Sequence, residues 1–253
     1  MNRYDATYET PDWQKTSYDY KANGWTLAAV IASPTVGTLS SSAIMPKSRK
    51  IETYTAVTMT EPSLGVFVFD MGQNVAGLTR IKIAGNDMRG QNVTLIHSEE
   101  IDVNGNIVQM YGNSPMIGTY TLRGDGSEEI FEASFTLILW LSVRASPRLP
   151  SGVHHSDLCR ILLYTFGFYD TTVGSIDFGP SNVNNGGSNA YLLNYVQHMT
   201  VYSSLSNYIN IPTDCPQRER RGWLGDAQLS SLTTIYNFDM VCEIYIFFVQ
   251  NFF

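Results

Sequence analysis

Thr79-Arg80-Ile81-Lys82-Ile83 alternates polar and apolar side chains, the two-residue period of a strand with one buried face. Ile81 and Ile83 are expected inside, with Arg80 and Lys82 in water. Downstream, a Gly85-Asn86-Asp87 turn leads into Val93-Thr94-Leu95-Ile96-His97, a second strand candidate. Asn104-Gly105 is a hairpin signal because both residues tolerate positive φ, and Gly124-Asp125-Gly126 marks another turn. Short strands between turn signals over residues 51–135 predict an antiparallel sandwich or barrel.

The period changes after about residue 185. Leu192, Tyr195, Val196 and Met199 recur at three and four, with the breaker Asn185-Gly186-Gly187 before them and Ser188 as N-cap candidate. A second helix is expected from Asp226, with Leu229, Leu232 and Ile235 on one stripe and a possible run into the aromatic tail. Residues 136–153 contain no acidic residue and show neither period cleanly, where one more core strand belongs. The expected fold is thus multidomain, β first and then α.

With 253 residues, 43% of them hydrophobic, the chain has ample material for cores. A net charge of −7 leaves no bulk basic face to neutralise phosphates, so nucleic acid is not an expected partner. Apolar runs at 135–143 and 244–249 are too short to span a bilayer, and residues 1–13 lack a signal-peptide core. As written the chain reads as cytoplasmic, or as secreted if an N-terminal leader precedes it. Cys159, Cys215 and Cys242 form no CxxC pair and predict neither zinc nor a disulfide framework.

Residues 211–228, IPTDCPQRERRGWLGDAQ, differ from the rest. Asp214, Arg218, Glu219, Arg220, Arg221 and Asp226 crowd around Pro216, Trp223 and two glycines. Pro212 and Pro216 disfavour helix just before them, which predicts a rigid loop up to Arg218 that leads into the second helix. The bland reading of such a loop is a solvated ion-pair cluster. Against it stands Trp223, whose flat face can stack on a sugar ring or desolvate a neighbouring carboxyl, the condition a general acid needs. The arginines oppose that role if they point at Glu219.

The string TDCPQRERRGWLGDAQ resembles the signature of the bacterial and fungal alpha-L-rhamnosidases, inverting glycoside hydrolases of family 78. Tyr4-Asp5-Ala6, Phe69-Asp70-Met71-Gly72-Gln73-Asn74 with Ala76-Gly77, Tyr120-Thr121-Leu122-Arg123-Gly124 and His155-Ser156-Asp157 resemble earlier landmarks of that family in the same order. The resemblance covers nearly the whole chain. It implies an antiparallel β-sandwich followed by the first helices of an (α/α)6 toroid: residues 1–45 as the end of a preceding β-rich domain, 46–153 as the sandwich, and 154–253 as an incomplete catalytic domain. By position, Glu219 matches the general acid, Asp214 and Asp226 match residues that bind rhamnose hydroxyls, and Arg218 and Trp223 match the pocket lining. Many members carry one more residue between the Arg and the acidic Glu, whereas here Arg218 directly precedes Glu219. An inverting enzyme needs acid and base roughly 6.5–9.5 Å apart. The resemblance places the base far downstream, and neither Asp239 nor Glu243 fits it, so this chain alone is expected to be inactive.

Other conspicuous residues read as structural. His97 beside Glu99 and Glu100 is expected to be structural rather than a metal ligand, and so is the pair His154-His155. Cys215, with His198 upstream, lacks a nucleophile motif and reads as a structural thiol. Asp70 to Asn74 reads as a strand-ending turn. No calcium loop is recognisable, and no cofactor is expected. A rhamnosidase fragment, a non-catalytic carbohydrate-binding sandwich and a degenerate product that does not reach one folded state are the competing readings.

Overall fold

The computed structural model describes residues 2–32, 49–85, 87–108, 116–133, 136–146, 159–167, 189–209, 211–240, 244–245 and 247–248. Eleven strands come first: β1 (Asn2–Asp5), β2 (Arg49–Thr55), β3 (Thr58–Ser63), β4 (Val66–Ile83), β5 (Asn92–Ser98), β6 (Glu100–Ile101), β7 (Ile107–Val108), β8 (Ile117–Thr121), β9 (Glu129–Glu132), β10 (Thr136–Ser146) and β11 (Cys159–Gly167). Helix α1 (Asn189–Asn207), the small strands β12 (Tyr208–Ile209) and β13 (Ile211–Pro212), and helix α2 (Leu224–Asn237) follow. The order is sheet first, helices second, as the change of period predicts.

Nine of the strands share one hydrogen-bonded sheet, ordered β1-β8-β5-β10-β4-β11-β2, with β3 and β9 also on β4. The first part of β4 (Val66 to Asp70) lies between β10 and β3, and its last part (Arg80 to Ile83) between β11 and β9. One 18-residue strand therefore serves both halves of the sandwich, and the core fills the space between them. Ile81 and Ile83 are buried there with Phe67, Phe69, Leu95, Tyr120 and Phe131. Arg80 and Lys82 face outward to Glu132 and Glu128, respectively. The alternation at 79–83 thus has the predicted sense, and the Asn104-Gly105 turn joins β6 to β7 with Gly105 at φ 81°.

Residues 136–146 form β10, paired with β5 on one side and β4 on the other, so the stretch without a clean period is a central strand. Residues 147–153 of that stretch lie outside the described set. β11, beyond the expected division at residue 153, pairs with β4 and β2 in the same sheet. β1, assigned to a preceding domain, likewise pairs with β8 in parallel.

The Tyr120–Gly124 landmark has a structural explanation. The buried Glu129 carboxylate accepts from Tyr120 Oη at 2.8 Å, Arg123 N at 2.7 Å and Gly124 N at 3.0 Å. The turn between β8 and β9 is thereby wound around one anion, and burial with the adjacent Glu129 raises the Tyr120 phenol pKa. His97 is also buried: its Nδ1 lies 3.0 Å from the Met116 carbonyl, and its Nε2 lies 3.0 Å from Thr79 Oγ1. Since a carbonyl only accepts, Nδ1 carries the hydrogen and Nε2 accepts from the threonine. The ring is a neutral core element and does not face Glu99 and Glu100.

Helix α1 docks on the sheet through polar contacts. Ala76 N donates to Ser206 Oγ at 3.2 Å, and Tyr202 Oη donates to the Glu52 carboxylate at 3.1 Å and lies 3.2 Å from Tyr54 Oη. Helix α2 packs on α1 through a smaller core of Tyr208, Phe238, Met240 and Ile244, supported by Val201, Leu205 and Ile235. The helical spacing is as predicted, but the stripes are not covered: Leu192, Tyr195, Val196, Leu229 and Leu232 are exposed, Leu229 to 83%. α2 begins at Leu224 and ends at Asn237, short of the aromatic tail, in which Ile244 and Phe247 are buried and Tyr245 is exposed. The proposed N-cap Ser188 lies outside the described residues.

Candidate active site

The charged segment is positioned by α1 and α2 together. α1 ends at Asn207, whose carbonyl accepts from Thr213 N (2.8 Å) and Thr213 Oγ1 (2.9 Å), folding β12 and β13 back against the helix end. Residues 214–221 then form a loop closed at its base. Asp214 N donates to the Arg221 carbonyl at 3.1 Å, and Arg221 N donates to Asp214 Oδ1 at 3.2 Å. Arg220 takes φ 55°, a left-handed conformation that a non-glycine residue adopts at a cost. Gly222 follows where no side chain fits, because a Cβ would lie 2.7 Å from the Phe247 ring. Trp223 caps α2, and Asp226 occupies its first turn, where the partial positive charge of the helix end favours a carboxylate.

Within the loop, Cys215 is a bracket. Its thiol donates to Asp214 Oδ2 at 3.3 Å, and its sulfur accepts from Glu219 N at 3.1 Å. His198 hydrogen-bonds instead to Gln73 Oε1 at 3.2 Å and packs on the Tyr202 ring. The structural reading of the thiol fits these contacts. Asp214 sits below the ordinary carboxylate range: burial acts to raise it, and the hydrogen bonds from Arg221 N and from the Cys215 thiol and backbone outweigh that effect.

The five predicted site residues fall into two groups. Asp214 and Asp226 both line a hollow of about 620 Å³ between α1 and α2, with Met199, Ser203, Asn207 and Ser230 among its other walls. Arg218, Glu219 and Trp223 form a hydrogen-bonded chain on the loop: Arg218 Nη2 donates to Glu219 Oε1 at 3.1 Å, and Trp223 Nε1 donates to Glu219 Oε2 at 2.9 Å. The Glu219 side chain is 38% exposed, and Arg220 and Arg221 make no contact with it among the described residues. It is therefore held by one guanidinium and one indole rather than clamped between arginines. Neither Trp223 nor Glu219 lines the Asp214–Asp226 hollow.

A second hollow, of about 740 Å³, lies on the other side of Asp214, between α1, the signature loop and the sheet. Its sheet-side wall is Gly72, Gln73 and Asn74. Ile138 pairs with Val75 and Trp140 with Asp70, so Met71 to Asn74 stand opposite the single position 139. The expected strand-ending turn is thus a bulge in the middle of β4, started by Asp70 Oδ1 accepting from Gly72 N at 2.8 Å. Gly72 has φ 75°, and a Cβ there would lie 2.7 Å from Val57 Cγ2. Met71 is buried, while Asn74 Nδ2 reaches Glu99 Oε1 at 2.7 Å. The sequence reading missed this wall; a glycine and two amides inside a long apolar strand were the available signal.

Among the described residues, no group of three His, Cys, Asp or Glu stands close enough to hold a metal, and no helix is long and apolar enough to cross a membrane. His154 and His155 lie outside the described residues.

A strand-rich sheet followed by helices that carry a charged loop sets the class of fold in which the site lies. Residues 60–163 match the model of the bacterial alpha-L-rhamnosidase concanavalin-like domain, and residues 187–246 match that of the bacterial alpha-L-rhamnosidase 6 hairpin glycosidase domain. The chain belongs to the alpha-L-rhamnosidase family. It is 30% identical over 240 residues to an alpha-L-rhamnosidase of Streptomyces avermitilis, covering 93% of this chain and 21% of the relative. An alpha-L-rhamnosidase of Formosa agariphila is 27% identical over 245 residues, covering 94% and 23%, respectively. The solved alpha-L-rhamnosidase of Dictyoglumus thermophilum superposes with TM-score 0.80 at 28% identity, over 98% of this chain and 26% of that one. The S. avermitilis enzyme solved with L-rhamnose gives 0.76 at 26% identity, over 97% and 22%. The chain thus spans about a quarter or less of the length of the curated relatives it matches.

Proposed function

We propose that this chain supplies the acid-bearing part of an inverting glycosidase that releases terminal alpha-L-rhamnose from glycosides. The observation that carries the reading is the Glu219 carboxyl, fixed by Arg218 and Trp223 on a loop whose base residue, Asp214, shares a hollow with Asp226. Asp214 and Asp226 accept hydrogen bonds from sugar hydroxyls. Asp214 suits this task because its local hydrogen bonds favour the ionised form. Trp223, which does not line that hollow, offers its half-exposed apolar face to the part of the substrate that reaches the loop. Glu219 donates a proton to the departing glycosidic oxygen, which requires one of its oxygens to carry hydrogen. Oε1, held by the largely exposed Arg218, is the oxygen more readily released for that role.

The second carboxylate, which activates water on the opposite face of the ring, comes from residues beyond this chain, roughly 6.5–9.5 Å from the acid in the assembled site. We further propose that the sandwich unit runs through β11 and the helical unit begins by α1, a later division than residue 153.

Joining the chain to a downstream segment of a full-length relative tests the assignment. Release of rhamnose from an aryl rhamnoside is expected, and Glu219→Gln should lower the rate by about 10²–10⁴-fold, the usual worth of a positioned acid. An undiminished rate in that variant would remove Glu219 from the reaction.

A second reading, a non-catalytic carbohydrate-binding sandwich, is favoured by a separate hollow of about 670 Å³ lined by Tyr8, Trp13, Trp25, Glu9 and Arg123. Aromatic faces beside charged hydrogen-bonding groups suit a sugar. Sugar binding abolished by Trp13→Ala and untouched by Asp226→Asn would favour this reading over the first.

A further inference from the structure

The bulge in β4 is costly. Four residues leave the ladder inside the longest strand of the sheet, and the excursion needs a left-handed glycine against which Val57 already packs. Its effect is to carry Gln73 and Asn74 away from the sheet to the side of α1, where Gln73 meets His198. There they face the signature loop across the 740 Å³ hollow, whose opposite wall is Cys215, Pro216 and Gln217. Asp214 and Asn207 line this hollow and the Asp214–Asp226 hollow alike, so the two adjoin.

The chemistry of the second hollow is specific. Amides, serine hydroxyls, an imidazole and the carboxylates of Glu99 and Asp214 line it together with the half-exposed ring of Tyr195, and among the described residues no lysine or arginine does. Such a wall repels anions and pairs with hydroxyl groups, while the ring offers a stacking face. Two acceptors in the same wall, Asn207 Oδ1 and Gln217 Oε1, are buried without a hydrogen-bond partner among the described residues. Enclosed acceptors of this kind are destabilising until a donor reaches them, and a small shift of the loop on binding would bring one within reach.

We infer that the second hollow is a sugar subsite for the neutral hexose to which the terminal rhamnose is joined, with Gln73 and Asn74 of the sandwich as specificity-determining residues. This rests on the reading of Asp214 and Asp226 as the rhamnose site. The sandwich then forms one wall of the substrate pocket as well as supporting the helices.

The test is an NMR-detected titration of the 253-residue chain with two probes, L-rhamnose and a disaccharide of L-rhamnose α-linked to glucose. Wild type, Gln73→Ala/Asn74→Ala and Asp226→Asn are compared, with melting followed in each. The disaccharide should bind wild type about three- to ten-fold more tightly than rhamnose, the worth of about one hydrogen bond. In the bulge variant the two probes should bind equally, with rhamnose affinity unchanged. Should that variant melt early, Asn74→Ala alone, at an exposed position, must still reduce the preference. A disaccharide preference that is absent, or that survives these changes, overturns the inference and leaves the rhamnose site standing. Failure of wild type to bind rhamnose at all overturns the underlying reading, and the inference with it.

Discussion

Lowering the pH should uncover His97. Burial drives its imidazole from 6.5 down to about 4, and the hydrogen bond to the Met116 carbonyl offsets this only in part. The folded-state pKa is depressed, so the unfolded chain takes up a proton near pH 6.5 while the folded chain refuses it until about pH 4. Stability from this residue is therefore complete above pH 6.5 and is lost as the pH falls through that window. At 1.36 kcal/mol per pH unit, the loss by pH 4 is about 3 kcal/mol, a large part of a typical domain's 5–15 kcal/mol. The assay is urea denaturation between pH 7.5 and 4, comparing wild type with His97→Gln, which keeps a polar side chain but cannot titrate. The variant should start less stable, having lost the paired contacts to Thr79 and Met116, and its pH dependence should be flatter by about 3 kcal/mol. Parallel curves would falsify the description of His97 as a neutral core residue.

Three further outcomes follow from the geometry. Glu129→Ala should cost about 3–5 kcal/mol in chemical denaturation, because it strands two backbone N–H groups and a phenol, and Glu129→Gln should cost about half as much. Gly222→Ala should cost about 1–3 kcal/mol through the clash with Phe247 and Ile211, and an unchanged melting temperature would show that the tail does not pack there. Leu229→Glu with Leu232→Lys, at positions 83% and 64% exposed, should leave melting within about 0.5 kcal/mol of wild type and reduce self-association seen by light scattering.

Much of this fold is legible in the sequence because local periods record which face of an element is buried. Ile81, Ile83 and the turn at Gly105 announce their surroundings directly. β10 does not: residues 136–146 show no clean alternation, yet they pair with β5 and β4. β11 is not legible locally either: its partners on β4 and β2 lie 76–88 and 107–118 positions earlier, and no local pattern encodes a pairing at that distance. At the candidate site, the loop stands out by charge density, while the choice of its five residues follows from the family resemblance. The grouping does not, since only the fold places Asp214 and Asp226 on one hollow and ties Glu219 to Arg218 and Trp223. The DMGQN segment reads as a strand end because its turn chemistry is the same in a terminus and in a bulge.

The seam between α1 and the sheet has a consequence for synthesis. Among the described residues the last strand of the sheet ends at Gly167, so a nascent chain can pair these strands before α1 leaves the ribosome, as N-terminal units generally fold first. Ser206, Tyr202 and His198 then meet a surface that already exists at Ala76, Glu52 and Gln73. α1 is then laid against a finished foundation, and α2, which packs on it, takes its orientation from that one vectorial step.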